Sequence, residues 1–375
     1  MKTAMTFAAV VAVGFAAFQD DDAPPPKALT KKTTTKSDRP GTIPAVGVDE
    51  LLGRGGRKAH DERLAKTSVG GKQFGWAEYE RWGKELYFNG SVEKPPVGPA
   101  PSKPISEFYK CWHCHNHMRE DRVLSKQDPE DRFAMIMEQP KVKEPPSPFD
   151  AVMRLQPGTT MWGAVNRESF YNDSYAIYHR LKVGDRIMNP ASLEDATQVC
   201  CTYCSVGRLA EEWEILAMLT YFWSLEVKLS DLDLPSGAAV EIASVLQATG
   251  DRDPIQVAKA RKTLKQLYLT RAGDEYTAVP KDLKSDSQGP YADKAQFKGE
   301  AGVGKRLYEL ACDHCHGEGK PNESAGADLV RNLAKYHNIL AHGTQRDKEA
   351  YMPMFARQRL SRQQIADIQA YLKSM

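Results

Sequence analysis

Two pentapeptides in this chain set two thiols and an imidazole at one fixed spacing: Cys111-Trp112-His113-Cys114-His115 and Cys312-Asp313-His314-Cys315-His316. On a helix, positions i, i+3 and i+4 share a face, so within each pentapeptide both thiols and the last imidazole converge on one side. A Cys-x-x-Cys pair alone fits a zinc site, a redox disulfide or the attachment of a haem. The His directly after the second Cys favours haem, because the thiols add to its two vinyl groups while the imidazole reaches its iron. A second copy makes coincidence a poor explanation; zinc binding and a buried disulfide are the remaining alternatives. The expected cofactors are therefore two covalently bound haem c groups, one on Cys111 and Cys114 and one on Cys312 and Cys315, with His115 and His316 as the first iron ligands.

The elements around the two sites must wrap two large planar groups. A chain of 375 residues allows two or three domains. Lys and Arg total 51 against 49 Asp and Glu, which gives no field to attract nucleic acid or acidic lipid, so no nucleic-acid role is expected. Of seven cysteines, four belong to the pentapeptides, leaving Cys200, Cys201 and Cys204 to be explained.

Residues 1–19 hold one Lys, an apolar run over 4–18 and then acidic residues from Asp20. The run is short for a membrane span and reads as a secretory signal peptide. The expected location is the periplasm or another extracytoplasmic space; the alternative is an uncleaved anchor that tethers the chain to a membrane. Residues 20–73, rich in Pro, Lys, Thr and Gly, carry few large apolar side chains and read as a disordered spacer.

Helical spacing begins with Trp76, Tyr79, Trp82 and Leu86. This stretch contains Gly83-Lys84-Glu85-Leu86-Tyr87, repeated near the other end as Gly304-Lys305-Arg306-Leu307-Tyr308. The later copy runs straight into Cys312, whereas residues 89–106, rich in Pro and Gly, precede Cys111 and read as an inserted surface loop. A Pro-rich stretch at 140–148 is expected to pack on a haem edge. A strongly apolar helix is expected over 209–229. Its Ile215 and Tyr221 are spaced as Ile365 and Tyr371 are in the last helix.

The expectation is an all-α chain with a first haem module over 74–230 and a second over 296–375. A helical bridge and linker over 231–295 joins them. Asp253-Pro254 would cap and open a helix in that bridge.

Met352-Pro353-Met354-Phe355, followed by Leu360-Ser361 and the final helix, resembles the distal loop of class I cytochromes c. That resemblance covers 296–375. It implies that the closing helix packs across the opening one and that Met352 is the second ligand of the later haem. Met354, His337 and His342 are the alternatives. A thioether donor favours reduced iron, so His/Met ligation would raise the potential. It also implies export, since attachment of this kind belongs outside the bacterial cytoplasm.

Aligning the closing helices on Tyr221 and Tyr371 puts Thr202 where Met352 stands, with Cys201 just before it and Cys204 two residues after. Ser205 follows Cys204 where a third haem would need His, so a third haem is not expected. The first module resembles the sulfur-oxidation cytochromes, the SoxA subunit and thiosulfate dehydrogenase, in which a Cys near the closing helix ligates a haem. By that resemblance Cys201 is the second ligand of the first haem, with Cys204 behind it. The alternatives are a disulfide from Cys200 or Cys201 to Cys204, or ligation by Met161, Met188 or His179. His113, His117 and His314 read as exposed or hydrogen-bonded rather than ligating.

The expected function is a dihaem cytochrome that carries electrons between a donor and a redox partner protein, either another cytochrome or a terminal oxidase or reductase. No catalytic residue is required. The alternative is a sulfur oxidoreductase whose Cys-ligated haem oxidises thiosulfate or a related anion held by Arg167, Arg180 and Arg208. A dihaem peroxidase is the third reading.

Overall fold

Two pairs of crossed helices carry the architecture, and each forms where apolar residues recur at a helical period. The computed structural model describes residues 47–49, 56–121, 128–138, 153–167, 182–183, 186–187, 192–232, 236–247, 253–267, 297–318, 355 and 359–375. Most of these are helical, and the sheets are two antiparallel pairs of two-residue strands. In chain order the elements begin with α1 (Gly56–Lys66), β1 (Ser68–Val69), β2 (Lys72–Gln73), α2 (Trp76–Asn89), α3 (Cys111–Cys114) and α4 (Pro129–Met137). Next come β3 (Lys182–Val183), β4 (Arg186–Ile187), α5 (Leu193–Val199), α6 (Glu212–Ser224), α7 (Ser236–Gln247) and α8 (Pro254–Leu267). The chain ends with α9 (Ala301–Ala311), α10 (Asp313–His316) and α11 (Arg362–Ser374).

α2 starts where Glu78 accepts from the Gly75 N–H (3.0 Å) and stops at Gly90, whose φ of 76° only glycine adopts freely and whose N–H donates to Leu86 O (2.9 Å). Its buried face, Tyr79, Trp82, Gly83 and Leu86, lies across α6, whose residues from Trp213 to Trp223 are all buried. Each large apolar side chain buried there contributes about 1.5–3 kcal/mol. The crossing is close because Gly83 has no side chain: a Cβ there would strike the Ala217 carbonyl. α9 crosses α11 in the same way, with Gly304 against the Asp367 carbonyl. Tyr87 and Tyr221 stand 5.5 Å apart at 57°, and Tyr308 and Tyr371 stand 5.6 Å apart at 56°. The repeated pentapeptide therefore makes one set of contacts twice: a glycine at the crossing, a buried Leu, and a Tyr ring on the closing helix.

Among the described residues three apolar cores result. The first is built on α2 and α6 with Leu64, Ile105, Val165 and Cys201. The second joins α9 and α11 to Phe355 and Leu360, and also to Ile136, Met153 and Leu155. The third gathers Val48, Val227, Leu229 and Leu232 around Ile242, Val245, Ala260 and Leu264 of the bridge.

Several expectations change. The spacer expected to reach residue 73 ends earlier, because α1 forms and buries His60 and Leu64, which are one helical turn apart. A mostly polar helix of this kind is held by docking rather than by its own pattern. Residues 128–138, Met153 and Leu155, expected in the first module, serve the second core instead. α4 is capped by Asp128, which accepts from the N–H groups of Glu130 (3.0 Å) and Asp131 (3.1 Å). Gln364 of α11 then donates to Pro129 O (2.9 Å).

The bridge is two helices, and Asp253 caps the second by accepting from the Ile255 N–H at 2.9 Å. The closing helix expected over 209–229 spans Glu212–Ser224, since Val227 and Leu229 turn away into the third core. The inserted loop before Cys111 is not merely surface: Val92 and Ile105 are buried in the first core. No helix among the described residues is long and apolar enough to cross a membrane. The signal segment, the stretch 140–148 and the loop carrying Met352 and Met354 lie outside the described residues, as do His179, Arg180, Met188, His337 and His342.

Candidate functional site

The turn that carries Cys111, Cys114 and His115 is fastened from both sides. α3 is a single turn, closed by the His115 N–H donating to Cys111 O (3.0 Å). Tyr87 of the repeated pentapeptide donates its hydroxyl to His115 O, and the Gln156 amide donates to Trp112 O. Opposite, the Gly158 N–H donates to Cys114 O (2.8 Å), and a side chain at Gly158 would run into the His115 ring.

His115 Nδ1 stands 2.6 Å from Thr159 O. A carbonyl only accepts, so Nδ1 carries the proton and Nε2 keeps its lone pair. Desolvation, with the nearby Arg167 and Arg359 guanidiniums, holds the imidazole below its usual pKa. It is therefore neutral, as an iron ligand must be. Cys111, Cys114 and His115 each retain accessible surface although packing surrounds them. A free nitrogen lone pair and two thiols on one turn fit the thioether and imidazole links of a haem c.

The three remaining thiols lie beside this turn. α5 begins at Ser192, whose hydroxyl accepts from the Asp195 N–H (3.3 Å), and runs into a wide turn over Cys200–Cys204. There the Ser205 N–H reaches back five residues to Cys200 O (2.8 Å). Val206 follows with φ of 52°, a conformation that costs a β-branched residue energy and persists only where surroundings enforce it.

That enforcement is visible. The Arg208 N–H donates to Ile105 O (2.9 Å), and its guanidinium binds both oxygens of buried Glu214 (2.7 Å each) and Lys103 O (2.7 Å). The turn is thereby pinned to the loop that leads into Cys111. Cys201 is buried in the first core with Cys111 packed against it, and Cys204 lies within electrostatic reach of Cys114. Cys200 and Cys204 hydrogen-bond to each other, and no disulfide joins any of the seven cysteines. Burial pushes the Cys201 thiol well up, so only a strong local positive charge such as a ferric iron would hold it as thiolate. Met161 packs at the edge of the same core.

The second turn follows α9 without a break. Cys312 N–H donates to Tyr308 O (2.8 Å), His316 N–H donates to Cys312 O (2.9 Å), and the Tyr308 hydroxyl donates to His316 O (3.3 Å). That last bond repeats the one from Tyr87 to His115. Burial raises the Cys312 thiol to about 12 and the Cys315 thiol to about 11.

The two turns also touch each other, which nothing in the spacing announced. His314 Nε2 lies 3.0 Å from His113 O, and the two imidazoles stand 5.9 Å apart. His113 and His314 are thus hydrogen-bonded with their rings tilted by 44°, and burial holds them at about 4 and about 3. His117 packs edge-on to Phe88 at 5.2 Å.

Behind the turns, Arg359, just before α11, forms a wholly buried ion pair with Glu120. The same guanidinium donates to Gln156 O (3.0 Å) and Gly158 O (2.6 Å), so a residue beside the last helix braces the loop that holds His115. Neither residue had a signal in the sequence beyond its charge. Of the arginines expected to hold an anion, Arg208 is committed to Glu214. Arg167 donates to Thr159 Oγ1 (2.7 Å) and Thr160 O (2.5 Å).

No curated protein and no solved structure matches the chain. Residues 299–372, which contain the second attachment turn, α9 and most of α11, match the family described as cytochrome c oxidase, cbb3-type, subunit III. The C-terminal part of this chain is accordingly a c-type cytochrome module, a domain that carries covalently bound haem c and serves haem-based electron transfer.

Proposed function

We propose that the chain is an exported dihaem cytochrome c that takes electrons at a first haem on Cys111, Cys114 and His115. It passes them through a second haem on Cys312, Cys315 and His316 to another cytochrome or a terminal oxidase or reductase. The observation that carries the reading is the duplicated scaffold: in both halves the repeated Tyr meets the closing-helix Tyr and donates to the carbonyl of the His that ends the attachment turn. The second ligands in this reading are Cys201 for the first iron and Met352 for the second. A thiolate donates density to iron and lowers its potential, whereas a thioether raises it, so electrons run downhill from first to second. The haems supply the redox change; the chain's task is to hold them within reach and set their potentials. The redox partners and the periplasmic location belong to the same proposal, as does a membrane tether if the N-terminal segment is retained.

Potentiometric titration of the purified chain tests this: two separate one-electron steps are expected, the lower shifting in Cys201→Ala with a changed low-temperature EPR signal. A single step, or an unchanged spectrum in both Cys201→Ala and Cys204→Ala, removes the thiolate assignment. A second reading, a sulfur oxidoreductase, draws on the three thiols gathered beside Cys111 and Cys114. Haems that become reduced on addition of thiosulfate would favour it; haems that respond to ascorbate but not to thiosulfate favour the carrier.

A further inference from the structure

In each attachment turn the residues between the cysteines point away from the face that takes the haem. Trp112 and His113 of the first turn and His314 of the second are such residues, and they meet. His314 Nε2 sits 3.0 Å from His113 O, and the Trp112 and His314 rings stand 6.4 Å apart. The carbonyl accepts, so Nε2 is the protonated nitrogen of His314. Its Nδ1 is buried without a hydrogen-bond partner, which leaves the bond to His113 O to orient the ring.

One short segment clamps both turns from beneath. Arg154 lies over the Trp112 ring at 5.7 Å, the Leu155 N–H donates to Leu310 O (3.2 Å) just ahead of the second turn, and the Gln156 amide donates to Trp112 O. Three consecutive residues thus contact either the first turn or the helix that runs into the second.

We propose that this back-to-back pairing of the attachment turns is the electron path between the two haems, with His314 as the residue that positions it. The inference rests on the two-haem reading above. From Cys114 the bonded path passes one peptide unit to the His113 carbonyl oxygen and crosses a single 3.0 Å hydrogen bond to His314 Nε2. It then runs along the imidazole and one further peptide unit to Cys315. Each end of the path is a residue whose sulfur bonds a haem edge, and only one step in it is non-covalent. One electron moves: a ferrous iron at one end becomes ferric while a ferric iron at the other becomes ferrous. No bond is made or broken, and His314 keeps its proton.

The test uses the full-length chain carrying both haems, reduced by one electron in a fast pulse and followed by rapid-freeze EPR, with midpoint potentials titrated on the same samples to fix the driving force. His314→Ala is expected to slow exchange between the haems several-fold at equal driving force. His314→Gln, whose amide N–H replaces the donor, is expected to stay near the wild-type rate. His314→Met, which fills the space without a donor, makes the same test if the alanine variant does not accumulate. Wild-type exchange in the donor-less variants, with both haems attached, overturns the path. A wild-type chain found to carry one haem overturns the two-haem reading instead, and the haem count tells the two failures apart.

Discussion

Replacing Glu120 by Gln keeps the shape of the side chain and removes the charge that two buried arginines face. Glu120 and Arg359 are both fully buried, and Arg132, 1 % exposed, lies nearby. Burial alone would raise the Glu120 carboxyl, but Arg359, Arg132 and the bond from Asn116 outweigh it and hold the group at about 2, against an ordinary 4.5. Removing one partner of a buried ion pair costs about 3–5 kcal/mol.

The sign follows from the lowered value. The contribution is fully present above pH 4.5 and is lost as pH falls from there toward about 2. Denaturant unfolding followed by circular dichroism at several pH values checks this. The Glu120→Gln chain should be less stable at pH 7 by about 3–5 kcal/mol, and the gap to wild type should close as pH falls below 4.5. A variant as stable as wild type at pH 7, or a gap that does not change with pH, would refute the reasoning.

Adding a methyl group at either crossing glycine should push a helix pair apart. Gly83→Ala and Gly304→Ala are each expected to cost about 1–3 kcal/mol in thermal or denaturant unfolding, whereas Gly237→Ala, where a Cβ meets nothing, should be harmless. His60 is packed between Trp76 and Trp223 with Nε2 2.9 Å from Thr220 Oγ1, and burial lowers it from 6.5 to about 4. A lowered imidazole stabilises the fold fully above pH 6.5 and ceases to do so as pH falls toward about 4, so His60→Phe should remove part of the acid sensitivity in that window when melting is compared across pH.

That each pentapeptide gathers its two thiols and imidazole on a single turn was readable because the arrangement is local to five residues. The crossing helices were readable for a similar reason, since the repeated Gly, Leu and Tyr sit at fixed spacing and each does the same work in both copies. What failed was pairing over distance. Phe133 and Ile136, three residues apart, share a face of α4, but nothing local says which core covers it, so residues expected within the first module pack in the second core. α1 has too few apolar residues to announce itself, and its order comes from His60 and Leu64 docking on α6. The Glu120–Arg359 pair had no local sign, because nothing in the sequence distinguishes a buried ion pair from two surface charges. The meeting of His113 and His314 left one trace, a His at the same place in both pentapeptides, which only the fold gives meaning.

Intact mass of the purified chain after acid denaturation, which strips any haem that is not covalently bound, is the most direct measurement. The account predicts the polypeptide plus two haem masses, falling to one when Cys111 and Cys114, or Cys312 and Cys315, are replaced by Ala. A wild-type mass with one haem or none would contradict it.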